Sequence, residues 1–512
     1  MLGAHDRPEW DNLAISSQFR LRTRFPAKVE HEAAACREPD AREIGRREDC
    51  RDRLIFTIDP EDAKDHDDAL SVTALSLKRW EVGIHIADVS HYVRPGSGLD
   101  SEARARGTST YLPGAVVPML PERLSADLCS LKPDRDRLAL SVFVELEANG
   151  RVFAIRFAET VLRSRHRLHY GEVQEVIEGR RRVDRALHLA LVTLRDLARG
   201  LRAKRRAQGA LELDVPEVKV WVDDNGDPLK IERREHLESH ELIEEFMLLA
   251  NRVVGAEGAK RRAGVLYRIH EPPNPSKLAE LDLVLKTLGL PRLSAGLDPA
   301  PALQALLAVS LDTGHRRLLH RMVLRALTRA RYAEADRGHF GLASREYCHF
   351  TSPIRRYPDL HNHARVREWI RGQRDAAWDP VALAELALET SGAEVNATDA
   401  EREAVKVKGL RVLEGRLGDR ASGMITGLVP RGFFVELDEI PVEGFVRVHD
   451  LDDAFALDAS GVRMVGRRTR RRYTLGDAVR VIVARVDVPS RECDLALDVA
   501  PARAHGRRRG RN

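Results

Sequence analysis

Several features that would assign the chain to a secreted or membrane class are missing from the sequence. Only five of the 512 residues are cysteines; they are scattered and show no CxxC or zinc-like spacing. No run approaches the ~18 apolar residues of a membrane span. The first thirteen residues contain no apolar h-region, which argues against a signal peptide, and there is no tandem repeat. These absences predict a reduced, cytoplasmic protein without membrane association.

The composition that is present is that of a globular protein. Hydrophobic residues make up 43% and charged residues 32% of the chain, and the formal net charge is +5. The length predicts roughly two to four domains. The surplus of base is uneven, because residues 466–472 and 506–512 are almost purely cationic. Either solvated segments or attraction of phosphate groups, which gives salt-dependent and sequence-independent affinity, would explain such runs.

Apolar periodicity divides the chain into segments. Residues 1–53 are polar with little periodicity and predict a loosely ordered arm. Strand-like alternation starts at Leu54 and returns in residues 80–93 and, around an Asn-Gly turn signal, in 139–162. Residues 240–255 have helical spacing that ends at Gly255. Further helices are predicted for 276–290, 300–311, 315–332 and 380–415.

After Gly415 the pattern changes to short strands separated by glycine turns. Five such strands in about ninety residues predict a small all-β barrel, with an OB-fold as the first choice. We therefore divide the chain into an N-terminal arm (1–53), an α+β domain (54–410), a barrel (415–500) and a basic tail (501–512).

The stretch TIDPEDAKDHDDAL, residues 57–70, places six carboxylates in ten positions directly after an apolar strand. A solvated acidic turn is one explanation, although carboxylates at the end of a core strand are costly unless cations neutralise them. An EF-hand is excluded because the glycine at position six and the glutamate at position twelve are missing. A magnesium site is the third explanation, since Mg²⁺ prefers oxygen ligands and two ions about 4 Å apart can assist an in-line phosphoryl displacement. The suitable ligands are Asp59, Asp65, Asp67 and Asp68.

The same stretch resembles the signature of the ribonuclease II / ribonuclease R family of 3′→5′ exoribonucleases. Four further blocks resemble that catalytic domain in the same order; they are residues 82–142, 239–251, 266–278 and 337–360. Within the family, their sequences are closer to ribonuclease R. The resemblance implies a ribonuclease II-type α+β domain that hydrolyses single-stranded RNA stepwise to nucleoside 5′-monophosphates. It also implies Mg²⁺ as cofactor, with Mn²⁺ as an alternative because both accept oxygen ligands.

The resemblance implies roles for individual residues of the catalytic centre. Asp59, Asp65 and Asp68 would ligate metal, and Asp67 would hold the second metal or orient the attacking water. Arg355, in FTSPIRRYPDL, would stabilise charge that develops on the phosphate. For the neighbouring Arg356 we expect a structural ion pair or a contact with a backbone phosphate.

Other residues match positions that hold the RNA in the family. Tyr111 would stack on the 3′-terminal base, which suits any sequence because every base has a π-face. Tyr170 and one of Glu244 and Glu245 would read the ribose 2′-hydroxyl. Leu213 stands where many relatives have phenylalanine, so we expect a looser grip on the 3′ end.

The C-terminal strands resemble an RNA-binding OB barrel of the ribosomal protein S-one type. Alternation sends Phe433 and Phe434 to opposite faces, so one should fill the core while the other, with His449, contacts RNA. Family members usually carry two cold-shock domains before the catalytic domain, whereas about fifty residues precede the signature here. The family resemblance favours a monomer.

Two other functions compete with the exoribonuclease. One is a catalytically silent RNA-binding protein on the same fold, which should have lost a metal-ligand aspartate or the catalytic arginine; this chain retains all of them. The other is a metal-dependent phosphohydrolase for small molecules, against which the barrel and the basic runs count.

Overall fold

The computed structural model describes residues 7–213, 217–293, 298–310, 315–373 and 378–498. The basic tail, 501–512, therefore lies outside the described residues. The strands are β1 (Glu48–Asp49), β2 (Phe56–Asp59), β3 (Asp68–Ser76), β4 (Arg79–Ala87), β5 (Thr110–Leu112), β6 (Ala115–Val117), β7 (Asp136–Leu146), β8 (Val152–Arg163), β9 (His166–His169), β10 (Glu217–Val222), β11 (Pro228–Arg234), β12 (Tyr267–Ile269), β13 (Arg331–Ala333), β14 (Arg420–Val429), β15 (Gly432–Leu437), β16 (Glu443–Arg447), β17 (Phe455–Leu457), β18 (Arg463–Gly466), β19 (Arg472–Thr474), β20 (Ala478–Asp487) and β21 (Glu492–Leu497).

The helices surround the first sheet and connect it to the C-terminal region. They are α1 (Asp11–Gln18), α2 (Ala27–Ala35), α3 (Ala41–Gly45), α4 (Val89–Tyr92), α5 (Gly98–Arg106), α6 (Tyr170–Ile177), α7 (Arg185–Ala207), α8 (Glu238–Arg261), α9 (Pro275–Leu288), α10 (Pro299–Ser310), α11 (Arg316–Ala326), α12 (Tyr357–Ile370) and α13 (Pro380–Glu414). Within the described residues, none of them combines the length and the apolar composition needed to cross a bilayer.

A mixed seven-stranded sheet organises the first part of the chain, in the order β1-β8-β7-β4-β3-β2-β9. One face packs on α6, α7 and α8, and the core there includes Ile84, Leu191 and Phe246. The opposite face packs on α5 and residues of the N-terminal segment, with Leu99 and Phe143 in the core. Because both faces are covered, strand β7 in the middle of the sheet is buried along nearly its whole length.

The C-terminal region is a closed barrel of β14, β15, β16, β21 and β20, as the sequence predicted. All five predicted strands are present. A separate three-stranded sheet, β17-β18-β19, is inserted between β16 and β20. The basic run 466–472 spans the turn between β18 and β19. An α+β domain followed by an all-β OB-type barrel is therefore confirmed as the fold class.

Helix α13 joins the two parts and shares its core with the barrel. It runs without a break for 35 residues. The sequence predicted either one or two helices in this segment, and the structure has one. Val407 and Leu410 on α13 are fully buried in the same cluster as Phe433 and Val435 of the barrel. The barrel is thus packed onto the first part of the chain through the core that it shares with α13.

The prediction of a loosely ordered N-terminal arm is wrong for residues 7–53. This segment forms α1, α2 and α3, and Ile15 is fully buried in the core that α13 shares with the barrel. Asp11 accepts hydrogen bonds from Lys408 Nζ at 2.8 Å and from Arg411 Nη2 at 2.7 Å. The low periodicity of the segment reflects short helices that pack by a few residues each.

Two predicted helix boundaries are also corrected. Helix α8 does not end at Gly255 but continues to Arg261. A Cβ at Gly255 would lie 1.8 Å from the carbonyl oxygen of Glu346, so this glycine permits close packing and is not a cap. The predicted helix 315–332 is α11 followed by the short strand β13.

We expect Asp11→Ala to lower the free energy of unfolding by about 3–5 kcal/mol. The ammonium of Lys408 has 1% side-chain exposure, and loss of its carboxylate partner leaves a buried charge that only backbone carbonyls contact. Urea denaturation would measure the change. Asp52→Ala, an exposed position in the same segment, is the control. If the Asp11 variant and wild type had equal urea midpoints, the conclusion that the N-terminal segment is packed in the core would be wrong.

Candidate active site and nucleic-acid interface

The acidic cluster lies at one end of the central sheet. Asp59 is the last residue of β2 and Asp68 is the first residue of β3, and these strands are antiparallel neighbours. The intervening loop therefore returns Asp65 and Asp67 to the same end of the sheet. Strand β9 runs parallel to β2 with His169 opposite Asp59, so the start of α6 lies beside the cluster.

Burial dominates the electrostatics of the cluster. Asp59 and Asp67 are buried, with 9% and 5% exposure. Desolvation raises the pKa of Asp65, raises that of Asp67 well above its ordinary value, and raises the pKa of Asp68 to about 8, with the charge of Asp59 as the second cause. Nearby positive charge would reverse these shifts.

The cluster offers oxygen donors of the type that hard divalent cations bind. Asp59 Oδ2 lies 2.7 Å from His66 Nδ1, and Asp67 Oδ1 accepts a hydrogen bond from the Ile354 amide at 2.9 Å. Among the described residues, no group of three or more His, Cys, Asp or Glu side chains forms a ready-made metal site. The donor chemistry and the buried charge fit Mg²⁺ or Mn²⁺, although the ligating geometry is not formed.

Arg355 faces the cluster from the loop before α12. Its Nε lies 3.7 Å from Asp67 Oδ2, and Nη2 donates to Ser352 Oγ at 3.0 Å. The side chain remains 43% exposed, so it can reach a substrate. The backbone carbonyl of Arg355 accepts hydrogen bonds from Ser109 N and Thr108 Oγ1, at 2.9 and 3.0 Å, which ties this loop to the segment before Tyr111.

The side chain of Arg356, unlike that of Arg355, is held in an ion pair with a buried carboxylate. Its Nη2 donates to Asp359 Oδ1 at 2.6 Å, and the carboxyl group of Asp359 is fully buried. Of the two roles expected for this arginine, the structural ion pair agrees with this geometry.

Tyr111 is presented by the β5–β6 hairpin next to the cluster. Its hydroxyl lies 3.5 Å from Asp65 Oδ2, and 40% of the residue is exposed. The backbone amide donates to Glu401 Oε1 at 2.7 Å, which anchors the hairpin to α13. An exposed ring fixed beside the carboxylates can stack on a base.

Of the residues predicted to hold the RNA, Tyr170 and Leu213 line a cavity of about 1620 Å³. Tyr170, the first residue of α6, stacks on His240 with ring centroids 4.0 Å apart. Leu213 is partly buried against a leucine cluster of α9, α10 and α11, so it offers an aliphatic surface to the cavity. Glu244 and Glu245 of α8 also line it.

Burial distinguishes the two glutamates that the sequence left equivalent. Glu245 has 4% side-chain exposure and is paired with Arg205 Nη2 at 2.6 Å. Glu244 retains 48% side-chain exposure, with His236 Nε2 3.9 Å away. Glu244 is therefore the more accessible carboxylate, whereas Glu245 is held in an ion pair between α7 and α8.

A groove of about 1060 Å³ crosses the barrel. Phe434, Phe445 and His449 line it together with Arg431, Arg447 and, from α13, Lys406. The rings of Phe434 and Phe445 lie 4.9 Å apart. Phe433, by contrast, is fully buried in the barrel core. Of the two phenylalanines, Phe433 is thus the core residue and cannot contact RNA in this conformation.

Sequence reasoning missed residues that hold the site together. His66 was visible between Asp65 and Asp67 and could have been identified from its position in the acidic stretch. Glu401 and Arg205 gave no local signal, because each is one of many charged residues on a long helix. Their partners come from distant parts of the chain.

Comparison with known proteins identifies relatives over almost the whole chain. Residues 47–372 match the RNB domain and residues 415–497 match the S1 RNA binding domain. Ribonuclease R of Aquifex aeolicus is 39% identical over 480 residues, covering 92% of this chain and 68% of the relative. Ribonuclease R of Thermotoga maritima is 36% identical, covering 97% and 72%. The structure of Mycoplasma genitalium RNase R in complex with ribose methylated single-stranded RNA matches with a TM-score of 0.91 at 27% identity, covering 97% of this chain and 79% of that one.

Proposed function

The chain belongs to the ribonuclease R group of RNB-domain proteins, and on this premise we propose that it is a 3′→5′ exoribonuclease that degrades single-stranded RNA stepwise to nucleoside 5′-monophosphates in RNA turnover. The observation that carries the proposal is the buried acidic cluster at the sheet end, faced by Arg355 and Tyr111. A site with these components can bind a cation, a phosphate and a base within a few ångströms.

Mg²⁺, or Mn²⁺ in its place, would be held by Asp59, Asp65, Asp67 and Asp68. Divalent ions at such a site activate water and neutralise charge on the phosphoryl oxygens. His66 orients Asp59 through its Nδ1 contact, and the Ile354 amide fixes Asp67. Both contacts restrict rotation of these two carboxylates.

Arg355 would supply a positive charge to the scissile phosphate. Its anchoring through Ser352 and the 108–109 segment keeps the guanidinium near the cluster before substrate arrives, so little reorganisation is required. Tyr111 stacks on the terminal base. Tyr170 and Glu244 are placed on the same cavity wall as candidates for the ribose contact, with Glu245 supporting the wall through Arg205.

The barrel groove provides a second RNA contact. Phe434 and Phe445 offer stacking surfaces, and Arg431, Arg447 and Lys406 attract the backbone. A catalytically silent binder would have the same groove, but it should lack part of the catalytic set. The assembled aspartates with Arg355 beside them disfavour that alternative. A cytoplasmic location and a monomeric state remain predictions from the sequence.

A gel assay tests the proposal directly. A 5′-labelled unstructured RNA, its DNA counterpart and an EDTA control are incubated with the protein and resolved under denaturing conditions. We expect a ladder that shortens from the 3′ end to a short limit product, on RNA only and with metal only. A mobility shift on a native gel without any cleavage would instead support the silent binder.

Phe434→Ala should weaken RNA binding by about 5- to 100-fold, the loss typical of one stacked base. We choose a point variant because deletion of residues 415–512 would expose the core that the barrel shares with α13. Fluorescence anisotropy with labelled RNA in EDTA measures the affinity. Phe153→Ala on β8, at the opposite side of the sheet from the acidic cluster, is the control. Unchanged affinity of the Phe434 variant would exclude the groove as an RNA site.

A further inference from the structure

The β10–β11 hairpin contacts two segments next to the candidate active site, the turn that follows Tyr111 and the acidic loop. Val222 packs against Gly114, three residues beyond Tyr111; a Cβ on that glycine would lie 2.4 Å from Val222 Cγ2. Lys219 Nζ lies 2.6 Å from Asp62 Oδ2, in the loop between Asp59 and Asp65. The hairpin therefore lies directly beside the active site.

The two faces of the hairpin differ in character. Val220 is buried and Ile231 packs on the core shared by α13 and the barrel, so this face holds the hairpin in place. On the other face Lys219 is opposite Glu232, and Trp221 is opposite Lys230. A large aromatic ring is thus grouped with charged residues on the face that contacts the acidic loop.

Trp221 is both exposed and fixed, with 40% of the residue accessible. Its Nε1 donates to Glu232 Oε1 at 2.8 Å, and Lys219 Nζ lies 3.7 Å from the ring centroid. These two contacts restrain the indole on one side while part of it stays open. Restraint before binding lowers the entropic cost of stacking on a ligand.

The ring has charged neighbours of both signs, because Lys219 is paired with Asp62 and Glu232 accepts from the indole nitrogen. Arg167 donates through Nη2 to the carbonyls of Glu61 and Ala63 at 2.7 and 3.1 Å, which brings a second cation to the same loop. A nucleotide suits an open aromatic ring beside cations, since its base stacks and its phosphate pairs with ammonium or guanidinium groups.

We propose that Trp221 is an additional base-stacking platform for the RNA substrate and that Lys219 contacts an adjoining phosphate. The inference rests on the proposed exoribonuclease function and extends it. Because Tyr111 takes the terminal base, Trp221 takes the base of another nucleotide of the same strand. The contact is independent of sequence and raises affinity and retention of short RNAs.

The test compares Trp221→Ala and Trp221→Phe with wild type by anisotropy of a labelled unstructured RNA in EDTA. We expect the alanine variant to bind about 5- to 100-fold more weakly and the phenylalanine variant to recover most of that loss, because it retains a π-face. Phe153→Ala is the matched control, since Arg79 and Arg151 lie over that ring as Lys219 lies over Trp221. Affinity of Trp221→Ala within twofold of wild type would overturn the proposal.

Tryptophan fluorescence gives a readout that does not depend on the stability of the alanine variant. RNA should quench the tryptophan fluorescence of wild type more than that of Trp221→Phe. Equal quenching in both proteins would overturn the proposal that Trp221 stacks on a base. The metal-dependent gel assay separates the two hypotheses. Cleavage by wild type with unchanged binding by Trp221→Ala rejects only the platform, whereas weakened binding by that variant without any wild-type cleavage rejects only the exoribonuclease.

Discussion

Asp67→Asn is expected to lower the rate of RNA hydrolysis by at least about 10³-fold while RNA affinity in EDTA stays within a few-fold of wild type. The amide cannot supply the negative charge that a divalent ion requires. The substitution is nearly isosteric, and its carbonyl can still accept the Ile354 amide hydrogen bond. Burial raises the pKa of Asp67 well above its usual range, so a neutral side chain should also be tolerated by the fold.

Single-turnover cleavage of labelled RNA measures the rate, and anisotropy measures the affinity. Glu61→Gln removes a charge from an exposed position of the same loop and should leave both quantities near wild type. Turnover by the Asp67 variant at the wild-type rate would refute the metal-site assignment. An equal loss in the Glu61 variant would mean that the charge of the whole loop matters, and not the buried ligand.

Arg355→Lys is expected to reduce kcat by about 10²–10³-fold with little change in KM. Lysine keeps the charge but loses the planar pair of donors that can span two phosphate oxygens. Arg355 is 43% exposed and its Nε lies 3.7 Å from Asp67 Oδ2, so its guanidinium is accessible to a substrate bound at the cluster.

Steady-state kinetics on a short unstructured RNA separates kcat from KM for this variant. Arg42→Lys, at an exposed position on α3, is the control for a general effect of arginine replacement. A rise in KM with unchanged kcat would assign Arg355 to substrate binding alone. An unchanged rate would remove it from the catalytic centre.

Local sequence determined the elements whose evidence is contiguous. The acidic stretch lies within fourteen residues and the flanking apolar runs identify its strands, so the candidate ligands could be named before the fold was known. The five barrel strands were predicted for the same reason, since alternation with a period of two and glycine turns act over a few residues.

Tertiary structure decided what depends on partners far away in the chain. Alternation predicted that Phe433 and Phe434 face opposite ways, but only closure of the barrel shows that Phe433 is inside. Helical phase left Glu244 and Glu245 equivalent until Arg205 on α7 paired with one of them. Arg356 likewise acquired its role from Asp359, across the start of α12.

The N-terminal segment and Gly255 show the same limit in the fold itself. The segment looked irregular because its short helices bury only a few residues each, and their partners are distant in the chain: those of α1 lie on α13 and in the barrel, and those of α2 lie on α5. Gly255 looked like a helix end because its close neighbour, the carbonyl of Glu346, is about ninety residues away. The sequence by itself determined the local elements and the chemistry of the acidic stretch. The burial and pairing of individual side chains were decided by long-range packing, which no local pattern encodes.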